Sequence, residues 1–283
     1  MLNRAYLICC AIIIMADFLY AQDTLRKTPG SPVAEGISVS PSSMRFALKQ
    51  GSAESRSIRV GNSTNQTFKF KITFTDFIMN DQGKPVQVVN GTNKFGLSKW
   101  IVAAPSFFEV GPNSAQNITV TVAIPSQDSV AHAAWTIIMI DQIKERESIS
   151  AGDGTNTIAL GIQPSFAFGV YIYQNPPNVQ SNKVIISNAN QTKSDSITLV
   201  NVTVKNTGDG IGFCTLQLEM VALANGKEIK LPVRKFTILP GAVRIFSFQI
   251  PSNLDKGVYS VVALLDYGSK DVIEGAELEV KVE

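Results

Sequence analysis

Phe68-Lys69-Phe70-Lys71-Ile72-Thr73-Phe74-Thr75 sets an apolar residue against a polar one at every second position. A period of two gives a strand one buried face and one wetted face, whereas a helix needs apolar residues three and four apart. Asn117-Ile118-Thr119-Val120-Thr121-Val122-Ala123-Ile124 repeats the pattern. Further strands are expected at 44–48, 57–60, 134–140 and 158–173. No segment sustains the 3.6-residue period over three turns, so the chain reads as all-β.

Working outward, Gln174-Asn175-Pro176-Pro177-Asn178 breaks the run that ends in Tyr171-Ile172-Tyr173. Proline removes ladder donors and stiffens the chain, which marks 175–178 as a short hinge. Strands resume at 184–186, 197–204, 213–220, 235–239, 243–250, 259–265 and 278–282. That number of strands suits an immunoglobulin-like β-sandwich over 179–283, following a first sandwich over 37–174.

The two halves share a plan. Gly61-Asn62-Ser63-Thr64-Asn65-Gln66 precedes the Phe68 strand, and Asn206-Thr207-Gly208-Asp209-Gly210 precedes the Phe213 strand. Phe108-Glu109-Val110-Gly111-Pro112, a strand and Ile124-Pro125 are matched by Ile238-Leu239-Pro240-Gly241, a strand and Ile250-Pro251. An aromatic strand follows in each half, from Trp135 and from Tyr259. Turns, proline corner and strand-ending Ile-Pro in one order argue for two copies of one unit.

At the start, Arg4 precedes the apolar run Ala5-Tyr6-Leu7-Ile8-Cys9-Cys10-Ala11-Ile12-Ile13-Ile14-Met15-Ala16. These are the marks of a secretory signal peptide, expected to end at Ala21, with a Pro/Ser/Thr-rich leader over 22–36. The run is short for a membrane span, so none is expected after cleavage. Cys9 and Cys10 lie within the signal, which leaves Cys214 alone. It alternates with Leu216 and Leu218, so it reads as a buried thiol without a disulfide partner.

The 283 residues are 45% apolar and 17% charged, and 25 scattered basic residues against 23 acidic ones leave a net charge of +2. Such a chain builds packed cores, and it lacks the concentrated basic face that nucleic acid requires. The single histidine, His132, has no acid or nucleophile beside it in sequence and reads as structural. Gly208-Asp209-Gly210-Ile211-Gly212 runs into a strand rather than a helix and reads as a turn, not a dinucleotide loop. Asp153-Gly154 lacks the further oxygen ligands of a calcium loop. Asn62, Asn65, Asn90, Asn117, Asn190 and Asn201 head Asn-x-Ser/Thr triplets, which here read as turn and edge residues. No enzyme, cofactor or metal is assigned.

The signal peptide, the opening Ile37-Ser38-Val39-Ser40-Pro41, the Arg59-Val60-Gly61-Asn62 turn and the corner from Pro105 to Pro112 together resemble PapD-type periplasmic chaperones. The resemblance covers most of 37–174 in pattern, and the second half in size and order. It implies two immunoglobulin-like sandwiches and a long last strand in the first, preceded by a loop at 144–157. In that family, alternating apolar residues of the strand fill the groove of a pilus subunit. Carried over, these are Ile158, Leu160 and Ile162, continuing to Phe166 and Phe168; the first three read equally well as an ordinary core strand. Pro164 interrupts the run. The family also holds the subunit's terminal carboxylate with a basic pair in the interdomain cleft. The nearest positions here are Ser43 and Ala167, neither cationic, and Arg45 would point to the same face as Ser43.

The expectation is therefore a non-enzymatic periplasmic chaperone or adaptor that takes an envelope or surface-fibre subunit by strand addition. A surface location is the variant of this reading, and an exposed edge could also pair two copies of the chain. The other reading is a structural or accessory sandwich of a surface fibre, secretion or gliding apparatus. A cell-wall-binding module belongs with it, since the first domain is also similar to the peptidoglycan-binding domain of WxL-interacting proteins.

Overall fold

The computed structural model describes residues 36–127, 132–144, 165–177, 179, 183–194, 197–269 and 272–282. Ile37–Glu283 forms one compact unit that holds two sandwiches. The fold is all-β, and no helix among the described residues is long and apolar enough to cross a membrane.

The first sandwich contains β1 (Ile37–Ser40), β2 (Ser43–Phe46), β3 (Ala53–Asn62), β4 (Phe68–Thr75), β5 (Phe77–Met79) and β6 (Pro85–Gln87). It continues with β7 (Ile101–Ala104), β8 (Phe107–Val110), β9 (Ser114–Ala123), β10 (Ala134–Ile143) and β11 (Ala167–Gln174). One sheet runs β1-β3-β9-β7 and the facing sheet β2-β11-β10-β4-β8, while β5 and β6 form a separate hairpin. The opening segment thus changes sheets at Pro41: β1 pairs with β3, and β2 lies parallel to β11. Alternation builds the core. Ile118, Val120 and Val122 point inward from β9 to meet Phe70, Ile138, Ile140, Val170 and Ile172 from the opposite sheet, all fully buried. Each such aliphatic side chain contributes roughly 1.5–3 kcal/mol relative to exposure.

The second sandwich contains β12 (Val184–Ser194), β13 (Ile197–Asn206), β14 (Gly212–Ala222), β15 (Glu228–Lys230), β16 (Arg234–Ile238), β17 (Val243–Gln249), β18 (Gly257–Asp266) and β19 (Glu274–Val282). One sheet is β12-β13-β17. The other is β15-β14-β18-β19, with β16 also on β14. The repeat read from the sequence is visible in the strand order of both sheets. Order β1-β3-β9 matches β12-β13-β17, and β11-β10-β4-β8 matches β19-β18-β14-β16. One difference is that β12 stays whole along β13. It reaches β19 through the Gln191 amide, which donates to the Lys281 carbonyl at 3.2 Å and accepts from its N–H at 3.4 Å.

Cys214 is buried within the second core. Residues 208–211 form a turn leading into β14, as the glycine spacing predicts. His132 is half-buried between the rings of Phe95 and Trp100, with Nδ1 2.8 Å from the Ala133 carbonyl. The signal peptide, most of the 22–36 leader, Asp153-Gly154, Asn178 and the loop at 145–157 lie outside the described residues.

A strand edge and a cationic cleft

Strand β11 pairs with β10 along its whole length, from Ala167↔Asp141 to Gln174↔Ala134. Among the described residues its other side is covered by β2 alone, from Tyr171 to Gln174. The Gln142 N–H donates to the Phe166 carbonyl at 3.0 Å, which turns the even-numbered backbone groups of this segment toward β10. The Tyr171 N–H donates to the Ser42 carbonyl at 3.0 Å and the Asn175 N–H to the Phe46 carbonyl at 2.9 Å, so odd-numbered groups face the other way. Ala167 and Gly169 therefore direct their N–H and C=O groups out of the sheet, beyond the reach of β2. Such a row is a template for another strand.

Side chains follow the same parity. Phe168, Val170 and Ile172 face the first core, whereas Tyr171 and Tyr173 join a separate apolar cluster. Phe166 is partly exposed at the end of the sandwich, its ring 5.9 Å from Phe68, 6.2 Å from Phe70 and 5.5 Å from Phe168. The structure thus brings Phe166 and Phe168 together in an aromatic group in which Phe168 packs on the first core and Phe166 stays exposed. Ile158, Leu160 and Ile162 lie outside the described residues, as does Pro164.

Arg45 sits opposite Tyr173 in the parallel register of β2 and β11. Its neighbours Met44 and Phe46 are buried in the first core, so alternation turns Ser43 and Arg45 to the other face. There the guanidinium lies 3.6 Å above the ring of Phe213 on β14. The two sandwiches meet along this line. Phe77, Trp135, Ile137 and Tyr173 pack with Ile211 and Leu239, and the Asn175 side-chain oxygen accepts from the Ile211 N–H at 3.1 Å. Burial pushes the Tyr173 hydroxyl up to about 12, partly offset by its hydrogen bond with Thr237.

Beside Arg45 a cleft of about 360 Å³ opens between the sandwiches, lined also by Phe213, Cys214, Thr215, Lys235, Phe236 and Thr237. Among the described residues, two cations and no carboxylate line it. Next to it, Arg244 lies over the rings of Phe236 and Phe246, and burial lowers its pKa. An anionic group entering here would meet the positive charge of Arg45 and Lys235, with Asp266 opposite Thr215 on the neighbouring strand.

Sequence reasoning placed Arg45 on this face but missed Lys235 and Arg244. Lys235 carried no signal. Arg244 did, because it shares even parity with Phe246 and Phe248 on the inward face of β17, and a charge in an apolar register asks for an explanation. The packing between sandwiches was also legible in β11, where Phe168, Val170 and Ile172 alternate with the aromatic Tyr171 and Tyr173. A strand apolar on both faces is buried on both.

No family model matches the chain, and no curated protein matches it. Among solved structures, the chain matches PapD-like pilus chaperones over most of its length. The class 5 fimbriae chaperone CfaA is 14% identical, with a TM-score of 0.43 over 88% of this chain and 100% of that one. The CupB2 chaperone of Pseudomonas aeruginosa is 13% identical, with a TM-score of 0.43 over 87% and 100%. The SafB chaperone of Salmonella enterica, solved in complex with SafA pilin, is 11% identical, with a TM-score of 0.41 over 88% and 99%.

Proposed function

We propose that this chain is a non-enzymatic periplasmic binding protein that takes up an envelope or surface-fibre subunit by strand addition at the outer edge of β11. The observation that carries the reading is the mismatch in length between β11 and β2: residues 167–170 have β10 on one side and no described strand on the other. An incoming strand would pair with Ala167 and Gly169 and be stopped by β2 at Ser43. Ile158, Leu160 and Ile162 extend the same even parity in the sequence as Phe168 and Val170, and supply the partner with apolar anchors. Three such anchors at roughly 1.5–3 kcal/mol each are ample for specific binding once ordering costs are met.

Arg45 and Lys235 give the cleft its second role, as a seat for an acidic group of the same partner. Arg45 takes the part of a cationic anchor that Ser43 and Ala167 cannot.

The test is capture of partners from the native cell envelope by the tagged protein, identified by mass spectrometry. Replacing Ala167 by Pro removes an outward N–H and leaves the β10 ladder intact. The expected result is a near-stoichiometric subunit, released only by denaturant, with wild type and Ala167→Ser, and its loss with Ala167→Pro and Leu160→Lys. Equal recovery with all four proteins overturns the proposal.

A further inference from the structure

Hairpin β5–β6 is rooted in one sandwich and ends on the other. At its base Phe77 is fully buried, its ring 5.7 Å from Tyr171, and the Trp135 indole donates to the Phe77 carbonyl at 2.7 Å. The turn at 80–84 is closed internally: the Lys84 N–H donates to the Asn80 side chain at 2.8 Å, and the Gly83 N–H to the Asn80 carbonyl at 2.9 Å. Its tip then touches β17. The Ile245 N–H donates to the Asp81 carbonyl at 2.9 Å, and the Arg244 guanidinium donates to the Gln82 carbonyl at 3.3 Å.

Ile245 pairs with Thr203 of β13, yet its N–H is given to the hairpin, so it lies on the outer edge of β17. The other end of the Arg244 fork donates to the Thr237 carbonyl at 3.3 Å, on the strand that lines the cleft. Gly83 has φ +74°, and a Cβ there would run into the Arg244 guanidinium. Any other residue is thus disfavoured both by backbone conformation and by space.

We propose that the β5–β6 hairpin is a strap that fixes the angle between the sandwiches, acting through Asp81, Gln82 and Gly83 on Arg244 and the β17 edge. Domains joined by a short linker move relative to each other unless a sizeable interface prevents it. The strap adds a second point of attachment away from the apolar contact, and two separated points resist rotation that one allows. Through the Arg244 fork it also sets where β16 stands relative to Arg45. The inference does not depend on what the β11 edge binds.

The test is solution NMR on the full chain, unaltered and as Gly83→Val. In the unaltered protein the Ile245 amide should be protected from hydrogen exchange by at least roughly tenfold over that of Ser247, two residues along the same edge. A single alignment tensor should fit the residual dipolar couplings of both sandwiches. In Gly83→Val the Ile245 protection should be lost and the two sandwiches should need different tensors. Arg244→Ala, which leaves the hairpin backbone untouched, should shift both readouts the same way and serves if Gly83→Val does not fold. Exchange at Ile245 as fast as at Ser247 in the unaltered protein overturns the contact. A single tensor persisting after Ile245 becomes unprotected overturns the strap.

Discussion

Asn62 and Asn206, 144 residues apart, hold the same position in the two sandwiches and share three hydrogen bonds. Each ends its strand, β3 or β13, and is buried. Each side-chain oxygen accepts from the N–H two residues on, that of Thr64 at 3.0 Å and of Gly208 at 2.9 Å. Each amide nitrogen donates to the carbonyl four residues on, that of Gln66 at 2.7 Å and of Gly210 at 2.8 Å. Each also reaches across to the strand before the proline corner, at the carbonyl of Val110 or of Ile238, both at 3.1 Å. One buried side chain thus closes the turn and ties it to the next corner in both halves. It follows that Asn62→Ala and Asn206→Ala should each cost about 2–4 kcal/mol, since buried backbone groups are left without partners. Asp at either site should cost no less, because a carboxylate cannot donate to the two carbonyls. Urea unfolding of the four variants checks this.

Asp76 is fully buried and organises the loop that follows the hairpin. Its carboxylate accepts from the Ser98 hydroxyl at 2.6 Å, the Ser98 N–H at 3.1 Å and the Gly91 N–H at 3.3 Å. Asp76→Ala should destabilise the chain by about 2–4 kcal/mol in urea. Gly96→Ala should also destabilise it, because a Cβ there would meet the Asp76 carboxylate.

Stability should fall from about pH 9 upward. Burial raises the Cys214 thiol from 9.0 to about 12 and the Tyr173 hydroxyl from 10.0 to about 12. Between the unfolded and folded values the unfolded chain gives up these protons and the folded chain keeps them, so rising pH favours unfolding. Thermal melts from pH 8 to about pH 11 should show the decline, and Cys214→Ala should delay its onset toward pH 10.

Arg45→Gln and Lys235→Gln should each weaken binding of the captured partner about tenfold at low salt, and the double variant should lose most of the salt dependence. Both side chains are exposed, so melting temperatures should move by no more than about 2 °C. Surface plasmon resonance across salt concentrations, with a melt of each variant, gives both readouts.

Much of the fold was legible because most strands bury one face. The pattern from Phe68 to Thr75 marks β4 at both ends, and the Ile118 run covers β9 from Asn117 to Ala123 and overshoots by Ile124. Hairpin β5–β6 was missed for the opposite reason. Its strands have three residues each, Ile78 and Val86 are exposed, and its tip is held by the distant Arg244, so no local periodicity announces it. The stretch of β11 beside which no described strand runs was also invisible, because it depends on where β2 stops pairing. The inward-facing Phe168, Val170 and Ile172 look alike whether or not a neighbour continues beside them.

The Gln191 amide, held between the N–H and C=O of Lys281, imitates a backbone partner on the last strand of the second sandwich. The first sandwich meets the same need by diverting β2 across to β11, a solution that runs out after four residues. The last strands of the two sandwiches, β11 and β19, differ in these fittings. The second copy spends a side chain on itself at this position, whereas in the first no described strand continues beside residues 167–170 past the stop that β2 sets.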